Sequence, residues 1–99
     1  MKIDKTQKGT ELTVALEDRL DTVTAPELEA SLSDLSGVTK LIIDMAKLVY
    51  VSSAGLRVLL AAQKKMDRNG GSMTLRNANE EIKEIFEVTG FDEILTIEA

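Results

Sequence analysis

With 99 residues, 43% of them hydrophobic and 29% charged, the chain has the length of one domain and the balance of a globular fold rather than of a disordered or membrane-embedded one. The absence of cysteine and histidine excludes disulfides, thiol nucleophiles, imidazole bases and zinc sites built from the usual ligands. A net charge of -5 opposes nucleic acid and anionic membranes, and one Tyr, two Phe and no Trp leave few rings to stack on bases.

No stretch approaches the roughly 20 apolar residues of a spanning helix, and the opening MKIDKTQKGTEL lacks the apolar segment of a secretory signal. A cytoplasmic location is therefore expected. Lys2 to Gln7 and Glu11 to Glu17 flank a turn at Lys8 and Gly9, and the second run alternates Leu12, Val14 and Leu16 with more polar neighbours. This pattern predicts a β-hairpin with one buried face. Thr24 and Glu27 have the spacing of a capping box with Pro26 in the first turn, and Leu28, Leu32 and Leu35 follow before Gly37. An amphipathic helix over this stretch follows.

Leu41, Ile42 and Ile43, closed by Asp44, fit a short central parallel strand covered on both faces. A helix from about Ser53 to Arg68 is stopped by Asn69, Gly70 and Gly71, and Met73 to Arg76 is a fourth strand. Asn77 and Glu80 again have capping-box spacing ahead of a helix with Ile82, Ile85 and Phe86 inward and Gly90 as its stop. Phe91 to Ile97 is a helical turn or a last strand. The order ββαβαβα plus a short tail predicts a single α/β domain over residues 1–99, a mixed sheet of about four to five strands carrying three to four helices.

In open α/β sheets the functional loops lie at the carboxyl ends of strands, which directs attention to KLVYVSSAGLRVLL, residues 47–60. Serine is a preferred N-cap, so local capping alone accounts for a serine here. A helix N-terminus with free amides also favours a phosphate, whether bound or carried by a phosphoserine, and Gly55 leaves room for close approach. Spacing separates the two serines. Ser53, Arg57, Ala61, Lys64 and Arg68 fall on one helix face, with Leu56, Leu59, Leu60 and Met66 on the other. Ser52 is then the better cap, and Ser53 heads a basic stripe that is either a solvated face or a docking surface for an acidic partner.

Other chemistry lacks its parts. The SSAG segment is not a nucleophile elbow, no Ser-His-Asp triad is possible, and Gly70 and Gly71 do not belong to a P-loop. Asp21 and Asp44 are scattered aspartates of the kind that serve turns and strand ends rather than a divalent cation. No catalytic residue, metal or cofactor is expected, and the chain reads as a binding module rather than an enzyme.

LVYVSSAGLRVLLAAQKKM resembles the phosphorylation segment of the anti-sigma factor antagonists, the STAS-domain proteins of bacteria. RLDTVTAPELE resembles their passage from second strand to first helix, and IIDMAKL their strand and loop leading into the serine. The resemblance covers essentially the whole chain and implies a STAS-like fold. It further implies a module that, unphosphorylated, binds an anti-sigma factor serine kinase and so frees a sigma factor for transcription. Phosphorylation by that kinase breaks the complex, and a metal-dependent serine phosphatase resets it.

Aligned through Gly55 and Leu56, the family acceptor falls on Ser53, and the acidic residues near it fall on Asp21 and Asp44. Ser52 stands where many members carry Asp and remains a second candidate acceptor; Ala54 replaces a Ser or Thr, and Arg57 a small residue. Asp21, Asp44, Ser52, Ala54, Gly55, Arg57, Lys64 and Arg68 are thus the expected partner-binding set. The free chain is expected to be a monomer, with lysines guarding its edge strand from Lys2 to Gln7. The alternative is a STAS scaffold or ligand-binding module that is never phosphorylated, in a signalling or lipid-transport complex.

Overall fold

The computed structural model describes residues 1–98. Four strands, β1 (Lys2–Lys8), β2 (Glu11–Leu20), β3 (Lys40–Val51) and β4 (Ser72–Arg76), form one sheet in the order β1-β2-β3-β4. The hairpin pair is antiparallel, and β3 runs parallel to both β2 and β4, as the alternation of strands and helices predicts. Helices α1 (Ala25–Ser31), α2 (Ser53–Arg68) and α3 (Glu80–Thr89) are followed by a 3₁₀ turn at Phe91–Glu93. The tail then makes a parallel bridge between Ile97 and Leu75, so both expectations for the last segment hold in part.

Leu12, Val14 and Leu16 of β2 meet Leu41 and Ile43 of β3 and Met73 and Leu75 of β4 in one apolar cluster with Leu28, Leu59, Met66, Ile82 and Phe86 of the helices. All three helices therefore pack on one face of the sheet. Ile42 is buried but lies outside that cluster, on the opposite face, where its register neighbours are Thr13 and Thr74. The central strand is thus covered on both faces, by helices on one and by the short side chains of its flanking strands on the other.

Three further boundaries differ from expectation for local reasons. β2 and β3 run well past Glu17 and Asp44, because register shifts around Asp18, whose φ is +74°, let the pairing resume at Leu20 and Val51. IIDMAKL is thus strand throughout rather than strand and loop. α1 stops at Ser31 rather than near Gly37, since Ser36 donates its amide and hydroxyl to the Asp34 carboxylate and forms a turn in place of helix. Leu35 is still buried, but from that turn. Lys5 donates to the Ser31 carbonyl at 2.8 Å and Lys65 to those of Leu32 and Ser33 at 3.2 Å, so lysine side chains close the helix end.

The capping boxes are also reassigned. Thr24 makes no side-chain cap; its hydroxyl donates to the Arg19 carbonyl, the Asp21 carboxylate accepts from the Val23 and Thr24 amides ahead of the helix, and the Ala25 and Glu27 amides donate to the Asp21 and Thr24 carbonyls. α3 is capped by Asn79, whose Oδ1 accepts from the Ile82 amide at 2.8 Å. Asn77 takes the left-handed conformation, φ +61°, and donates to Asp44 at 3.0 Å.

Candidate functional site

The carboxyl ends of β2 and β3 lie side by side, with Leu20 paired to Val51, and the chain turns there directly into α2. The Ser52 amide donates to the Leu20 carbonyl at 2.8 Å, which fixes Ser52 in an extended conformation at the helix entrance. Its Oγ accepts from the Gly55 amide at 3.3 Å, and its carbonyl accepts from the Leu56 amide at 2.9 Å. Ser52 is consequently the N-cap, as helical spacing predicts.

Ser53 is the first helical residue and is exposed. Capping is already done by its neighbour, so the Ser53 hydroxyl is left to the solvent. Arg57, Ala61, Lys64 and Arg68 are exposed along the same face, while Leu56, Leu59 and Met66 are buried and Leu60 only half-buried. Ala54 is half-buried beside the serine. Gly55 is buried, and its role is corrected: a Cβ there would stand 2.6 Å from Leu20 Cγ and 3.0 Å from the Leu20 carbonyl. The glycine lets α2 rest on the end of β2 and opens no space for a partner.

Asp21 follows Leu20 and belongs to this end of the sheet. Its Oδ1 accepts from the Val23 amide at 3.0 Å and the Thr24 amide at 3.1 Å, and lies 3.2 Å from the Thr24 hydroxyl oxygen. The Thr24 amide chiefly holds its carboxyl below the ordinary aspartate value, against a desolvation penalty and with help from Arg19 at 3.7 Å. The site therefore presents a fixed anion in its turn. The Arg19 guanidinium also lies over the Tyr50 ring, 4.5 Å from the centroid.

Asp44 is not brought to this place. It pairs with Ala15 and Arg76, and the six residues of extended chain between it and Val51 put the two on the order of 20 Å apart. Its Oδ1 accepts from the Ala46 amide and the Asn77 side chain, both at 3.0 Å, so it organises the turn between β4 and α3. Among the described residues no cluster of acidic side chains is arranged to hold a metal.

The apolar part of the surface is not evident from the sequence. Val23 is 81% exposed in the turn behind Asp21, and Val49 and Tyr50 are exposed at the end of β3. The signal is present in VYV just before the serines, but an apolar run reads as core unless the strand's twist is known. A cleft of about 500 Å³ lies at the far end of α2, between the turn at Ser33–Thr39 and Lys65, Arg68 and Asn69. The 16-residue helix puts it roughly 20 Å from Ser53, and of the expected site residues only Arg68, at the end of the stripe, lines it. No helix is long and apolar enough to cross a membrane among the described residues.

A family model described as the STAS domain matches residues 2–99. The chain is 32% identical to BtrV of Bordetella bronchiseptica, a candidate anti-sigma factor antagonist, over 87% of this chain and 76% of the relative. It is 29% identical to the anti-sigma-B factor antagonist of Bacillus subtilis, over 100% of this chain and 92% of that protein. Among solved structures, the anti-sigma factor antagonist SpoIIAA in its unphosphorylated form superposes with a TM-score of 0.78 at 16% identity, covering 99% of this chain and 88% of that one. Phosphorylated SpoIIAA of Bacillus gives 0.77 at 17% identity, covering 99% and 92%. At these identities the structural likeness establishes the fold.

Proposed function

The chain belongs to the STAS domain family, and from that premise we propose that it is an anti-sigma factor antagonist, a binding module without catalysis of its own, switched by phosphorylation of Ser53. Unmodified, it docks on an anti-sigma factor serine kinase and withdraws that kinase from its sigma factor. Phosphorylated on Ser53, it lets the kinase go, and a metal-dependent serine phosphatase restores it. One copy of the chain acts in the cytoplasm, and the sigma factor's transcription is regulated at one remove.

The observation that carries this reading is the division of labour between the serines: Ser52 closes the helix, and Ser53 stands exposed on its first turn. Two relatives bear the name of antagonist over most of their length, which supports the role. Around Ser53 the docking surface would comprise Asp21, Ala54 and the Arg57, Lys64 and Arg68 stripe, with Val23 and Tyr50 adding apolar area. Ser52 and Gly55 hold the acceptor in place, and Asp44 acts at a distance by securing the β4–α3 turn.

The physics needs no rearrangement. Phosphoserine adds a charge of about -1.5 to -2 and three strong acceptors, which the helix N-terminus tolerates but an interface fitted to a neutral hydroxyl does not. A difference of ~3 kcal/mol between the two forms changes the dissociation constant by roughly two orders of magnitude. Incubation with the cognate kinase and ATP, followed by phosphopeptide mapping, tests the assignment. Modification of Ser53 is expected; modification of Ser52 alone, or of neither serine, would overturn it.

A further inference from the structure

Arg57 lies one turn beyond Ser53 on the same exposed face of α2. Residues four apart are separated by about 40° around a helix, whereas Ser52 precedes the helix in an extended conformation with its Oγ turned to the Gly55 amide. Arg57 can therefore reach over Ser53 but not over Ser52. The first turn of α2 contains no acidic residue, and among the described residues Arg57 takes part in no ion pair. Two other charged groups at this end of the sheet, Arg19 and Asp21, are engaged with one another. Arg19 covers Tyr50 and pairs with Asp21, and the Asp21 carboxylate is held by the Val23 and Thr24 amides.

We propose that Arg57 is the built-in counter-ion of phosphorylated Ser53, so that modification both installs an anion and pulls a cation out of the docking stripe. The inference rests on the phosphorylation reading above. An anion at the helix start with a cation four residues later is the favourable order for such a pair, as it is for other acid–base pairs on a helix. Arginine suits the task because its planar fork can bind two phosphate oxygens at once. The switch then changes the surface twice with one group: a neutral hydroxyl becomes an anion, and the guanidinium that faced the partner folds back over it. The stripe from Ser53 to Arg68 loses its leading positive charge.

The test uses the full chain with phosphoserine installed at position 53 during translation, so that neither kinase nor partner enters and a failure here is distinct from a failure of the proposed function. The second ionisation of the phosphate is followed by phosphorus NMR in the otherwise unaltered chain, in Arg57→Gln and in Arg57→Lys. The phosphate is expected to titrate about half a pH unit lower with arginine than with glutamine, with lysine between them. Phosphoserine installed at position 52 is expected to be insensitive to Arg57→Gln. Identical titration of the position-53 phosphate with and without Arg57→Gln, or equal sensitivity at position 52, would overturn the proposal. Arg57 is exposed, and circular dichroism of each variant verifies that α2 is intact.

Discussion

Gly55 and Leu20 meet so closely that a single methyl group does not fit between them: a Cβ on Gly55 would be 2.6 Å from Leu20 Cγ. The same strand end accepts the Ser52 amide through its carbonyl, so β2 positions the entrance of α2 by contact and by hydrogen bond together. Gly55→Ala would overpack this junction, costing on the order of 1–3 kcal/mol, against which the better helix propensity of alanine returns up to ~1 kcal/mol. A lower urea midpoint with an unchanged slope is expected. A midpoint equal to that of the unaltered chain would show that the junction yields freely.

The two serines should separate cleanly in stability and in modification. Ser52→Ala removes the cap and is expected to cost ~0.5–1 kcal/mol, the low end of the range because its bond to Gly55 is long at 3.3 Å. Ser53→Ala removes an exposed hydroxyl that makes no hydrogen bond among the described residues and should stay within about 0.5 kcal/mol. Thermal or urea denaturation of the two variants measures the contrast, and equal losses would contradict the assignment of Ser52 as the cap.

Asp21 gives the turn beneath the site a dependence on pH. Its folded-state pKa is lowered, first by the Thr24 amide, so the stability it contributes is fully present above the ordinary aspartate value near 4 and is lost as pH falls through the lower folded value. The stability difference between the unaltered chain and Asp21→Asn should therefore be constant from neutral pH to about pH 5 and narrow below about pH 4. Denaturation midpoints measured across that range test the sign; a difference that widened in acid would refute it.

Asn77 occupies the left-handed region and ties its side chain to Asp44 at 3.0 Å. Asn77→Gly keeps the backbone conformation and loses only the bond, whereas Asn77→Val adds a branched side chain where left-handed backbone costs roughly 1–2 kcal/mol. Valine should be the more destabilising by at least ~1 kcal/mol in urea denaturation. Equal losses would mean that the turn relaxes.

The strands, the helices and the cap at Ser52 were legible because their signals are local. Leu12, Val14 and Leu16 alternate, Gly70 and Gly90 stop helices with positive φ, and Ser53 shares a helical phase with Arg57, Lys64 and Arg68. What escaped the sequence depends on contacts between distant segments. Met45, Leu48 and Val51 are buried at intervals of three because β3 shifts register against β2, and such spacing does not look like a strand. The Asp34–Ser36 turn ends α1 early and Asn79 rather than Asn77 caps α3, because side-chain bonds chosen in three dimensions override equally plausible spacings, and Asp44 lies far from Asp21 because β3 runs on from it to Val51. Gly55 reads from the sequence as room for close approach, whereas contact with the side chain of Leu20 is what requires it.

If Ser53 is the switch, its charge state sets the affinity for an anti-sigma factor serine kinase, and binding of the purified cognate kinase to the unaltered chain, Ser53→Ala and Ser53→Asp reads that dependence without intermediaries. Ser53→Ala is expected to bind within about threefold of the unaltered chain, and Ser53→Asp at least about tenfold more weakly, approaching the roughly hundredfold expected of phosphoserine. Binding of Ser53→Asp as tight as that of the unaltered chain would contradict the switch.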